Sequence, residues 1–309
     1  MLKPLATTAA IALIAAPLAF AGTKSVDTRN FDQIEVKGAM TLIYTPGPST
    51  SVSIETDGND FSDADVSVDG DTLVITRKSL EKRGLFGNGA SLKVSNDGKS
   101  VKVNGKKVPA YTVRVTSPDL ESVRVAQSSR ADVSGVDAES FTARTSSAAK
   151  LTLSGRANDA EIAASSSGEI YASEFEARTL DVDASSSGEV EIAVAGTGEV
   201  EASSSSSGEI SIRSLNAANF TVNSSSGGEV SLAGACGRIS ISASSGADVD
   251  ASALKCEVAT AQASSGADIE AFASVSATGS ASSGGDISFE GRPAEQQANK
   301  SSGGDVTFN

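Results

Sequence analysis

Histidine and tryptophan are absent from the chain, tyrosine occurs three times, and cysteine and methionine occur twice each. Without histidine there is no Ser-His-Asp or Cys-His catalysis, and the commonest zinc ligand is missing. What remains is carboxylate, Lys, Arg or Tyr chemistry, or calcium held by oxygen ligands. Aromatic residues make up only 4% of the chain, so the core must be built from Val, Ile, Leu, Ala and Ser. No unit carries a helical i, i+3, i+4, i+7 stripe of useful length. The net charge of −14 keeps such a chain soluble and argues against nucleic acid as a partner.

The first residues read as an export signal. Lys3 precedes an apolar run over 5–20 that closes on Ala19-Phe20-Ala21, the small-x-small pattern of signal peptidase sites. The run is too short for a good transmembrane span, and no later segment approaches that length. No cysteine follows the small residues, so a lipid anchor at that point is not expected. We expect 1–21 to be a cleaved Sec signal and 22–309 a single exported domain, periplasmic, secreted or at the cell surface.

What is present is a repeat. From Gln127 onward, Ser-Ser, one or two small residues, usually an acid and then an aliphatic residue return again and again. The aliphatic member falls at Val133, Leu151, Ile170, Val190, Ile210, Val230, Val249, Ile269, Ile287 and Val306, at steps of 18 to 20 residues. Between these markers apolar and polar residues alternate, as in Ile170 and Ala172, then Leu180, Val182 and Ala184, which is the period of a strand with one face inward. A unit of this size cannot bury an apolar face alone and must stack on its neighbours. The expected fold is all-β: a right-handed parallel β-helix, or β-solenoid, with coils of about 20 residues spaced ~4.8 Å apart. The coils should occupy 119–309, behind N-terminal strands over 31–118 that carry a basic hairpin insertion at 79–107.

The chain resembles the head GIN domain family, known as auto-transporter adhesins and as a domain of unknown function. The likeness rests on Phe31-Asp32-Gln33-Ile34-Glu35-Val36-Lys37-Gly38, on Ser117-Pro118-Asp119-Leu120-Glu121-Ser122-Val123, on the recurring Ser-Ser-Ser-Gly-Glu-Val, and on Gly291-Arg292-Pro293 before Ser301-Ser302-Gly303-Gly304-Asp305-Val306. It covers almost the whole chain after the signal and implies a β-helix fold and an adhesin-like role. The sequence stops four residues after Asp305, which leaves no room for an outer-membrane barrel, so the chain is not expected to be an autotransporter itself.

Four sets of residues are candidate sites. Glu169, Glu189, Glu209, Glu229, Asp248, Asp268, Asp286 and Asp305 should form one acidic line, which is either solvated or bridged by calcium; Glu169 to Asp268 are the calcium candidates. The serine pairs beside them read as turns whose hydroxyls satisfy the backbone and stack, because no histidine exists to activate a serine. Cys236 and Cys256, 20 residues apart, should fall in adjacent coils and form a disulfide if exported, or remain as two core thiols if not. The basic segment that begins at Arg77 holds Lys78, Lys82, Arg83, Lys93, Lys99, Lys102, Lys106 and Lys107. Only Glu81 and Asp97 oppose them there, leaving about −21 on the rest of the chain. That segment is either a patch for an anionic ligand, such as lipopolysaccharide, an acidic glycan or a membrane surface, or a solvated loop.

No catalytic residue, resident metal or cofactor is expected. The favoured reading is a non-catalytic, adhesin-like binding or envelope structural protein whose ligand is an envelope component, a glycan or a protein. End-to-end self-association is a further expectation, from the open final coil. The alternative is a carbohydrate-active β-helix enzyme, of the polysaccharide lyase or hydrolase kind. Such enzymes need clustered carboxylates, whereas the acids here are evenly spaced, and usually aromatic platforms, for which there is no Trp.

Overall fold

Each repeat becomes one coil with three flat sides. In the strand Glu169–Ser185, alternation puts Ile170 and Ala172 inward on the first side, Phe175 and Ala177 on the second, and Leu180, Val182 and Ala184 on the third. Between the sides two consecutive residues face outward, Ser173 with Glu174 and then Arg178 with Thr179. These pairs shift the phase of the alternation, so the chain turns while the same face stays inside. A three-residue bend, Ser185 to Ser187, closes the coil before Gly188 turns inward again.

The computed structural model describes residues 22–81, 91–95 and 100–309, and the expected signal segment lies outside them. The described chain is nearly all-β and forms a β-solenoid of about nine turns. Successive coils pair parallel and in register: Ile170 lies opposite Val190, Val190 opposite Ile210, and Ile210 opposite Val230. The ladder continues through Val249, Ile269, Ile287 and Val306. This inward aliphatic column is buried throughout. Each member contributes about 1.5–3 kcal/mol relative to an exposed side chain. The second side carries a thinner inward column, in which Ala217, Cys236 and Cys256 are register partners. Cys236 and Cys256 are joined by a disulfide with their Cα atoms 4.6 Å apart, which ties one coil to the next.

The first repeat is out of phase with the sequence pattern. Ala131, not Val133, lies level with Leu151 and Ile170. The turn explains the shift. Its two residues of positive φ are Gln127 and Ser128, then Ser147 and Ala148, then Ser166 and Ser167. Backbone conformation, not the position of the Ser-Ser pair, sets the phase.

The N-terminal strands build a cap. Gln33–Val36 lies parallel to Ser122–Val125 on the third side, and Thr41–Pro46 lies parallel to Arg130–Thr145 on the first. Thr72–Arg77 and Thr112–Ser117 extend the two ladders outward. Antiparallel strands then close them: Ser51–Thr56 and Gly22–Val26 over the first side, and Ala64–Asp69 over the third. Arg77 fixes the cap from within. Its fully buried guanidinium donates to Gly38 O at 2.6 Å, meets Asp63 Oδ2 at 3.2 Å and lies 4.9 Å from the Tyr111 ring centroid. Burial lowers the Arg77 pKa, and the Asp63 carboxylate opposes that shift.

The expected hairpin insertion is larger than a hairpin. Leu92–Val94, Val101–Val103 and Lys106–Val108 form a separate three-stranded antiparallel sheet. Asn104 and Gly105, both at positive φ, make the tight turn between its last two strands. Among the described residues no helix is long and apolar enough to cross a membrane.

The stacking gives glycine two different meanings. At Gly234, φ is +117° and an added Cβ would collide with the backbone of Ser214 in the coil before it. At Gly246, φ is +68° but the space around it is open, and serine occupies the same turn position as Ser167 and Ser187. Gly234→Ala should therefore destabilise the fold by about 2–3 kcal/mol, and Gly246→Ala by about 1 kcal/mol or less. Chemical denaturation of the two variants checks this; equal losses would contradict it.

Candidate functional site

On the first and third sides the coils stay in register, which turns outward positions there into columns along the axis, whereas the register shifts where the first side passes into the second. The carboxylates Glu169, Glu189, Glu209, Glu229, Asp248, Asp268, Asp286 and Asp305 are successive register partners on the first side. The column begins with bases, since Arg130 pairs in register with Lys150 and Lys150 with Glu169. The Lys150 ammonium lies 3.2 Å from Glu169 Oε2 and 4.1 Å from the Tyr171 ring centroid. The Tyr171 hydroxyl reaches Glu169 Oε2 at 3.3 Å and Glu189 Oε1 at 3.2 Å. Burial and these two carboxylates raise the Tyr171 pKa and keep it a neutral donor.

Further along, Glu209 and Asp248 have other acids as column neighbours, and only at the far end does a base return, where Lys300 Nζ meets Asp305 Oδ1 at 2.6 Å. Partial burial, then Glu189 and Glu229, raise the Glu209 pKa. Partial burial, then Asp268 and Asp250, raise that of Asp248. Among the described residues no group of three or more His, Cys, Asp or Glu side chains is arranged to hold a metal ion.

The serine turns are built differently from the sequence expectation. Gly168 N–H donates to Ser165 O at 2.9 Å, closing a tight turn with Ser166 and Ser167 both at positive φ. That conformation costs an L-residue about 1–2 kcal/mol. It is held because the turns also bond to each other: Ser167 N–H donates to Ser186 O at 3.1 Å, and Ser187 N–H to Ser206 O at 3.2 Å. The stacking is thus carried by the backbone. Hydroxyl-to-backbone bonds occur at the buried Ser204 and Ser224, which donate to Gly208 O and Gly228 O.

The third side holds what the sequence reading missed. Outside the strand Asn223, Ser242, Gln262 and Ser280 form one column, and Ser225, Ser244, Ser264 and Ser282 the next. They line a shallow groove of about 750 Å³ that runs along the axis from Arg144 to Ser282. Its N-terminal part is charged with both signs, lined by Arg144 and Asp183, with Arg144 paired to the neighbouring Glu161, and its C-terminal part carries no charge. Partial burial first, then Glu161 and Glu201, raise the Asp183 pKa. The second column consists of members of the Ser-Ser pairs already read as turns, and the first could have been found by listing residues at equal offsets from each pair, not only the residues within it.

The basic candidates divide. Lys93 lies directly opposite Lys102, and Lys102 opposite Lys107, so the three form a row on one face of the small sheet. Lys106 is paired with Val103 and takes the other face, and Lys78 lies in the short helix Lys78–Glu81 that follows Thr72–Arg77. Lys82, Arg83 and Lys99 lie outside the described residues. Val94 and Ser95 border a cleft shared with Arg130, Lys150 and Glu169, which sets the small sheet beside the start of the acidic column.

The model of the family described as "Putative auto-transporter adhesin, head GIN domain" matches residues 30–212 and 194–293. Among solved structures the chain is similar to a "Putative lipid binding protein" from Parabacteroides distasonis, at 19% identity and a TM-score of 0.49, over 94% of this chain and 96% of that one. It is also similar to a "putative adhesin" from Parabacteroides merdae, at 14% identity and a TM-score of 0.45, over 94% and 96%. Among curated proteins none matches.

Partial burial, and then repulsion between neighbouring carboxylates, give Glu209 and Asp248 a pH dependence of definite sign. Because the Glu209 and Asp248 pKa values are raised in the folded state, these two groups bind more protons in the folded chain than in the unfolded one just above the ordinary carboxylate range. Their contribution to stability then rises as pH falls from neutrality toward that range. Glu209→Gln should raise Tm at pH 7 by about 1–3 °C and reduce the rise on acidification. Calorimetry across pH is the check; a lower Tm for the variant at pH 7 would contradict it.

Proposed function

Because the chain belongs to the head GIN domain family of auto-transporter adhesins, we propose that it is an exported, non-catalytic binding protein of the cell envelope. It engages an extended polar polymer, most simply a neutral glycan, along its third side. The observation that supports this is the groove beside Asn223, Ser242, Gln262 and Ser280, which presents one uncharged amide or hydroxyl group at every coil. An open trough of equally spaced donors and acceptors suits a ligand that is itself long and periodic. Many weak polar contacts add along its length. The same openness speaks against the carbohydrate-active alternative. Hydrolysis of a glycoside needs two carboxylates with distinct environments, and nothing in the uncharged half of the groove supplies a pair.

The expected export rests on the basic start, apolar run and cleavage pattern of residues 1–21. A disulfide between Cys236 and Cys256 is in keeping with an oxidising compartment. For the acidic column, a solvated and mutually repelling line is our reading in place of calcium, since its members lie on a flat side where no ring of oxygen ligands converges.

The test is isosteric charge in the groove. Asn223→Asp combined with Gln262→Glu leaves shape and fold intact but places two carboxylates among the neutral groups. Binding to a panel of neutral and acidic polysaccharides should show capture of a neutral polymer by the wild type, weakened about tenfold or more in the variant, or ~1.4 kcal/mol. Capture that is unaffected by the two changes, or release of reducing ends or unsaturated sugars from any polymer, would overturn the proposal.

A further inference from the structure

The row Lys93–Lys102–Lys107 is a like-charge line that the fold enforces. Lysines directly opposite one another on neighbouring strands repel. A one-residue slip would relieve them, but it would also expose Val101 and Val103, which are buried on the other face of the same sheet. The repulsion is therefore held in place by apolar burial. Among the described residues none of the three lysines has an acidic partner.

The acidic column is a like-charge line of the opposite sign, enforced in the same way. Glu209, Glu229 and Asp248 are register partners on successive coils, and the aliphatic residues next to them in sequence, Ile210, Val230 and Val249, are fully buried. Both lines take their spacing from the distance between hydrogen-bonded strands, about 4.8 Å. Three amines in a row and three carboxylates in a row are thus commensurate without any adjustment. The chain already contains one such pairing, since Lys150 bonds to Glu169 from the neighbouring strand position.

We propose that the lysine row of one copy docks on the Glu209–Glu229–Asp248 stretch of a second copy of this chain. Each ammonium then meets a carboxylate of matching spacing, and both repulsive lines are relieved at once. The raised pKa values of Glu209 and Asp248 agree with a column that gains from an approaching cation. Charge is divided to suit, because the segment from Arg77 to Lys107 is strongly basic while the rest of the chain is strongly acidic. The row and the column lie on different surfaces, so the contact is heterologous. Each docked copy leaves one free row and one free column, and the assembly propagates as an open chain of molecules instead of closing as a dimer. This contact uses the first side and the small sheet and does not depend on the proposed glycan groove of the third side.

The test is a charge swap followed by sedimentation velocity. One variant carries Lys93→Glu, Lys102→Glu and Lys107→Glu, and the other Glu209→Lys, Glu229→Lys and Asp248→Lys. Wild type should associate at about 20 mM NaCl and dissociate at about 500 mM, where the screening length falls from roughly 20 Å to roughly 4 Å. Each variant alone should remain monomeric, and their equimolar mixture should associate again, because a reversed row then faces a reversed column. Circular dichroism verifies that both are folded; if either is not, the Lys→Gln and acid→amide versions replace them and should each weaken wild-type association about tenfold. A monomeric wild type at low salt, a row-reversed variant that still associates, or a folded mixture that stays monomeric would overturn the inference.

Discussion

Parallel hydrogen bonding between coils at one strand spacing is the constraint from which the other features descend. It places identical positions of every repeat in line, so a single choice of residue type is multiplied along the axis. Inward, that multiplication makes stacked apolar columns, with Ile170, Val190, Ile210 and Val230 on the first side and Leu180, Val200, Phe220 and Ile239 on the third. Outward, it makes lines of like groups, which are favourable for hydroxyls and amides and costly for carboxylates. The turns obey the same constraint. Their serines accept left-handed backbone angles because the peptide groups of successive turns bond to one another.

The two ends of the ladder are treated differently. The N-terminal end is closed by antiparallel strands and secured by the buried Arg77, whose guanidinium holds the turn at Gly38 and Ala39 against Asp63. Toward the other end the strand Glu295–Lys300 is exposed along its whole length, yet its residues are polar or charged except Ala298. Such a composition blunts an edge against indiscriminate pairing. Polar composition at this edge therefore disfavours aggregation through it.

Much of the architecture was legible in the sequence because a repeat of about 20 residues fixes both the period and the inward face. The acidic and cysteine positions could be placed in adjacent coils by subtraction alone, and the structure puts them in register. The sequence pattern places the first repeat two residues off, at Val133 instead of Ala131, since Ser128-Ser129 resembles later serine pairs in letters but takes the turn two residues out of step. The groove of the third side was missed for a physical reason. Its members Asn223, Ser242, Gln262 and Ser280 differ in type, and only their shared offset within the coil reveals them. The lysine row needed the pairing of three short strands, which composition does not specify, and several of the basic residues fall outside the described chain.

In-register stacking is tested most directly by distances along one outward column. Spin labels at Ser211 and Ser288, four coil spacings apart, and at Thr152 and Ser288, seven apart, can be measured by double electron–electron resonance with the native disulfide left intact. The account predicts separations of about 19 Å and about 34 Å, growing by one strand spacing per coil. Distances that fail to grow with coil number, or that are equal for the two pairs, would contradict it.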